Sequence, residues 1–215
     1  MTLIKYKVVR SNRKTLSLQI KPDSEVIVRA PLQTSQKLID QFVAKYTNWI
    51  NDKLNKINLS LTTHEKDRFF YLGNAYKWHQ CAHLRDVQFD KDNLYTGLNQ
   101  NEIIAWQKQQ LSILVFGIVN EYVAKFAFKY RQIKFNSAKS RWGSCSSAGN
   151  ISFSYRLLML PLELIRYVVA HELAHLTHHN HSAQFWQLVA VLYPDYKRAH
   201  AWLREHKYQL ATAIN

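Results

Sequence analysis

The run His171-Glu172-Leu173-Ala174-His175 constrains this chain more than any other segment. Two histidines at i and i+4 share one face of an α-helix, ~6 Å apart along its axis, so their imidazoles can converge on one metal ion. The glutamate beside the first histidine can then reach a metal-held water as general base. The approach, Leu162-Glu163-Leu164-Ile165-Arg166-Tyr167-Val168-Val169-Ala170, is helical in pattern, with Leu164, Val168, His171 and His175 on one stripe. Pro161 suits a first helical turn, where its missing N–H is no loss. The motif therefore lies on the inward face of a mostly apolar helix. Two imidazoles and a carboxylate cost free energy there unless something satisfies them, and a metal does.

A hydrolytic zinc site needs a third protein ligand and one open position. Besides the two motif histidines, His178, His179 and His181 crowd the segment. In an unbroken helix His178 would face the same way as His171 but lie ~10 Å along the axis, too far to share a metal at ~2 Å bonds. Asn180 can end the helix in a left-handed turn, and Ser182 can cap a new one over 183–192. His181 falls at that corner and is the expected third ligand, leaving His178 and His179 as solvated residues at a helix end.

Elsewhere the pattern is mixed. Strands are expected over 3–9, 15–21 and 26–30, followed by a helix over 35–57. Short strands follow over 69–72, 76–82, 86–89 and 94–96, then a long helix over 101–130. Strands over 132–137 and 150–155 flank a turn holding Arg141-Trp142-Gly143-Ser144-Cys145-Ser146, and a last helix covers 195–211. No regular βαβ alternation appears, which argues α+β. A β-rich N-terminal part with one helix, 1–98, is expected to precede a catalytic core, 99–215, built of helices and a small antiparallel sheet. In the turn, Trp142 and Cys145 read as core residues, and Arg141 as a candidate to hold an anionic group of the substrate.

Composition limits the classes that remain. The apolar fraction of 47% suffices for a filled core, and five glycines and four prolines leave little for long linkers. The start has no uninterrupted hydrophobic stretch, and no run approaches a membrane span. Cys81 and Cys145 have no CxxC partner and read as free thiols, so the expected location is cytoplasmic. Net charge is +14, and residues 1–57 hold eleven Lys/Arg against four acids, a balance of +7. Such a surface would attract an anionic or nucleic-acid partner.

Several blocks in chain order resemble the YgjP-like metal-dependent hydrolases, relatives of the SprT and WLM metallopeptidase-like domains. They are Val28-Arg29-Ala30-Pro31, Trp49-Ile50, Tyr71-Leu72-Gly73, Arg141 to Ser146, Leu160-Pro161, Tyr167 to Leu176, Asn180-His181-Ser182 and Phe185-Trp186. The resemblance implies a gluzincin-like core in which His171, His175 and His181 bind Zn2+ and Glu172 is the base. It implies a metallopeptidase-like hydrolase using metal-activated water. Two alternatives accompany it: a UTP pyrophosphohydrolase, and a DNA-associated SprT-like protease or nucleic-acid-binding module. The substrate is accordingly a peptide or a nucleoside triphosphate.

Overall fold

The computed structural model describes residues 4–21, 24–63 and 68–206. They form an α+β fold in two compact units, divided between Glu65 and Lys66.

In the first unit, β1 (Lys7–Ser11), β2 (Ser17–Ile20) and β3 (Val26–Pro31) make a sheet in the order β1-β3-β2. The central strand reads Val-Ile-Val-Arg-Ala-Pro, and all of it is buried except Arg29 and Pro31. A strand covered on both faces can be apolar at successive positions rather than alternating. Its side chains pack with Ile39 and Val43 of α1 (Gln36–Lys45) and with Ile50 of α2 (Thr47–Thr63). Ser35 caps α1, its hydroxyl accepting from the Leu38 N–H. The single helix expected over 35–57 is thus two, broken at Tyr46, whose N–H bonds back to Val43. No proline or glycine marks the break.

The second unit opens with β4 (Arg68–Tyr71), β5 (Asn74–Gln80), β6 (Val87–Phe89) and β7 (Asn93–Thr96), ordered β4-β5-β7-β6 around Phe69 and Leu94. The expected boundary at 98/99 grouped this sheet with the N-terminal part; its contacts instead group it with the following core. The Leu72 and Gly73 N–H groups donate to the Leu158 and Met159 carbonyls, at 2.8 and 3.1 Å. Gly73 has φ +83, and a Cβ there would lie 2.8 Å from Pro161 Cγ. This turn therefore sits on Pro161, the N-cap residue of the metal-motif helix. Gly73→Ala is expected to cost about 2 kcal/mol, from left-handed strain plus the clash, read as a lower thermal midpoint. An unchanged midpoint would show the contact to be slack.

Helix α3 (Gln100–Phe126) starts in a capping box: the Asn99 side chain accepts from Asn101 and Glu102 N–H, and Glu102 accepts from the Asn99 N–H. It ends at Phe126, four residues before the expected Tyr130, with Ala127 as a left-handed C-cap. A third sheet, β8 (Gln132–Asn136), β9 (Gly143–Cys145) and β10 (Asn150–Ser154), has the order β8-β10-β9. It is mixed rather than antiparallel throughout: β8 and β10 pair parallel, because the chain crosses β10 to lay β9 on the far side before returning. The first sheet has the same arrangement, with β1 parallel and β2 antiparallel to β3. A buried 3-10 turn (Tyr155–Met159) leads into α4 (Leu162–Ala174), α5 (Ala183–Leu192) and α6 (Tyr196–Glu205). The expected final helix over 195–211 is seen to Glu205, and positions from 207 lie outside the described residues. Among the described residues no helix is long and apolar enough to cross a membrane.

Candidate active site

Helix α4 carries His171 and Glu172 in its last turn and stops at Ala174, with His175 as its C-cap. The sequence placed that end near Asn180; the structure closes the helix earlier through turn bonds from Leu176, Thr177 and His178 N–H groups. The early stop frees residues 175–182 to fold back. Ser182 then caps α5 through the Phe185 N–H. His181 is carried round the corner until its Nε2 lies 3.2 Å from His171 Nε2. One ligand atom from each of His171, His175 and His181 lies within 4.8 Å of the others. The expected trio is therefore together in space.

The cluster suits a cation. Three imidazole nitrogens face one another with no carboxylate among them, a donor set that fits zinc or another first-row divalent metal. His171 Nδ1 is buried without a partner among the described residues. Burial and the neighbouring histidines push the His171 pKa down to about 3, so its ring is neutral and available as a ligand at physiological pH. His175 is depressed in the same direction, chiefly by burial. Its Nδ1 bonds to the His178 carbonyl at 2.9 Å, which orients the ring and leaves Nε2 for the cluster. His178 thus contributes through its backbone. Phe185 stacks on His175 at 4.5 Å, and Trp186 stacks on His181 at 5.7 Å. These two aromatics hold the three rings in place.

Glu172 points away from the apolar stripe toward β9. It is 6% exposed, and burial pushes its pKa up to about 8, against the opposing charge of Arg141. A Cβ on Gly143 would lie 2.7 Å from both Cγ and Oε1 of Glu172. The absence of a side chain at 143 therefore leaves room for the carboxylate. Cys145, two residues on, has its thiol pushed up to about 11, first by burial and then by Glu172, so it is no nucleophile at neutral pH. Arg141 is exposed, with its charge directed at Glu172.

The turn expected around 139–146 contains the strand β9, which three residues, one of them a glycine, did not announce. It is an edge strand. Ser146 N–H donates to Asn150 O, and Ser154 N–H donates to Trp142 O. Antiparallel ladders alternate, so the N–H and C=O groups of Gly143 and Cys145 point to the free edge, alongside Glu172. Sequence reasoning also missed Tyr167 and His200. The Tyr167 hydroxyl and His200 Nδ1 are 3.1 Å apart, and the Tyr167 ring lies 6.0 Å from that of His171. Tyr167 precedes His171 by one helical turn, a legible signal; His200 lies on α6 and had none.

No curated protein matches the chain. Among solved structures, the crystal structure of the metallopeptidase zymogen of Pyrococcus abyssi abylysin is 23% identical. That match covers 47% of this chain and 99% of the other, with a TM-score of 0.40. The YgjP-like family, described as a YgjP-like metallopeptidase domain, matches residues 14–206. With a match over most of its length, the chain belongs to the YgjP-like family and carries a metallopeptidase domain of the metal-dependent hydrolase kind.

Proposed function

We propose that this protein is a zinc-dependent peptidase whose substrate lies extended along the free edge of β9. The observation that carries this reading is the outward-facing backbone of Gly143 and Cys145 beside the Glu172 carboxylate. An extended peptide can add to such an edge through main-chain hydrogen bonds, which brings its own amides past the catalytic carboxylate. His171, His175 and His181 hold the metal. When bound, zinc supplies Lewis acidity, which acidifies water and polarises the scissile carbonyl. Glu172 takes the proton of the attacking water and delivers it to the leaving amine. Its buried setting suits that exchange, because a base works best with a pKa near the operating pH. Arg141 flanks the carboxylate and holds substrate from the solvent side. Gly143 keeps the space in which Glu172 moves its proton.

Two measurements test this. Metal analysis of the purified protein is expected to give about one zinc per chain, and none after His171→Ala or His175→Ala. A chain that holds no metal under these conditions would remove the site. Activity is then read on three substrates: a peptide library, UTP, and casein with and without DNA. Cleavage of peptides independent of DNA supports the reading. Release of pyrophosphate from UTP without peptide cleavage would replace it with nucleotide hydrolysis.

A further inference from the structure

Beside this site lies a cavity of about 400 Å3, lined by Lys129, Arg131, Ser146, Ser147, Leu176 and His179 among others. One wall is the chain leading into β8, another is the turn between β9 and β10, and the third follows the metal-motif helix. No acidic side chain lines it. Lys129 and Arg131 are exposed and form no ion pair among the described residues. The backbone beneath Arg131 is fixed, since its N–H donates to the Gly149 carbonyl at 2.9 Å. Two full positive charges thus face a pocket with serine hydroxyls and no counter-charge, a setting that favours an anion.

The position of the cavity says which anion. Ser146 follows directly on β9. From Gly143, against Glu172, to Ser146 is three residues of extended chain, about 10 Å at ~3.3 Å per residue. A peptide on the β9 edge therefore reaches the cavity about three residues from the bond being cut. We propose that this cavity is a specificity subsite for a carboxylate of the peptide substrate; the proposal rests on the peptidase reading above. The carboxylate has two possible sources. A substrate antiparallel to β9 carries its N-terminal side toward Ser146, so only an Asp or Glu side chain can fill the cavity. A substrate parallel to β9 carries its C-terminal side there, and the chain's terminal carboxylate can serve as well.

The test uses the full chain loaded with zinc and a peptide library whose cleavage sites are read by mass spectrometry. Cleavage is expected to concentrate where Asp or Glu, or a free C-terminus, lies about three residues from the cut. Matched peptides with amidated and free C-termini separate the two sources. In Lys129→Glu/Arg131→Glu, the ratio of kcat/KM on acidic to neutral peptides is expected to fall at least about tenfold, with Arg131→Lys keeping most of it. Peptide cleavage with no acidic preference, or with one these reversals leave untouched, overturns the subsite and leaves the peptidase reading standing. Fluorescence anisotropy of labelled acidic and neutral peptides on the Glu172→Gln protein gives a readout independent of turnover. Tighter binding of the acidic peptide, lost in the charge-reversed form, supports the subsite even where no peptide is cut. Equal binding of the two overturns it. Charge reversal that abolishes UTP hydrolysis while peptides neither bind nor react assigns the cavity to phosphate and overturns the proposal.

Discussion

Glu172→Gln is expected to lower turnover by roughly 10²–10⁴-fold, the range associated with losing a positioned general base. The metal content should stay at the wild-type level, because none of His171, His175 and His181 is altered. The same substitution is expected to stabilise the metal-free protein. Burial holds the Glu172 carboxyl at a pKa of about 8, against an ordinary value of 4.5. Between those values the unfolded chain has lost the proton and the folded chain keeps it. Stability is therefore fully present below 4.5 and is lost as pH rises through about 8. Glutamine has no proton to lose and escapes this. At pH 7 the difference is about 3 kcal/mol, from ~1.4 kcal/mol per pH unit above the ordinary value. Thermal melts of metal-free wild type and Glu172→Gln across pH 4 to 9 check it. Curves that stay parallel over that range would show Glu172 to be solvated. Adding zinc should narrow the gap, since a nearby cation favours the carboxylate. A buried acid that costs stability while serving chemistry is the trade expected of an active site.

Gly143→Ala should separate fold from catalysis still more sharply. The added methyl would stand 2.7 Å from Cγ and Oε1 of Glu172 and 2.9 Å from Cδ. Those atoms belong to a side chain, and a rotamer change relieves the clash without moving backbone. The fold should survive, with a loss of about 1 kcal/mol, the low end of the cost of overpacking an interior. The carboxylate, however, is driven off its position, and a displacement of ~1 Å at a catalytic group costs about 10²-fold in rate. The expected result is a protein with near-normal melting and zinc content and kcat reduced about a hundredfold. Full activity in this variant would mean that Glu172 works from a different rotamer.

Much of the site was readable without coordinates. The HExxH spacing needs only helical geometry. Selecting His181 over His178 used the rise per residue and the turns expected at Asn180 and Ser182; the Ser182 cap is present, whereas the helix ends at Ala174 and Asn180 is not left-handed. The strands of the second sheet fell within two residues of expectation, because the Gly73-Asn74 and Asp90 to Asn93 turns punctuate them. The early end of α4 was not readable. Leu176 to His179 keep helix-compatible residues, and the competing term is the convergence of His181 on His171, ten residues away. The split at Tyr46 likewise has no local breaker. The three-residue β9 was too short for an alternating pattern to register.

The sequence by itself determined which atoms could bind a metal, because the histidines and glutamate of one helical turn are related by local geometry alone. It also determined the family, through motif blocks spread along the chain. Only the tertiary structure decided what surrounds those atoms. Gly143 and Glu172 lie 29 positions apart, and no periodicity links them. They meet because a mixed sheet places an edge strand against α4. The cavity of Lys129 and Arg131 has the same origin, assembled from segments on either side of that sheet and the end of the metal helix. Helix periods are short-range consequences of backbone hydrogen bonding; the apposition of distant segments is set by how the whole core packs.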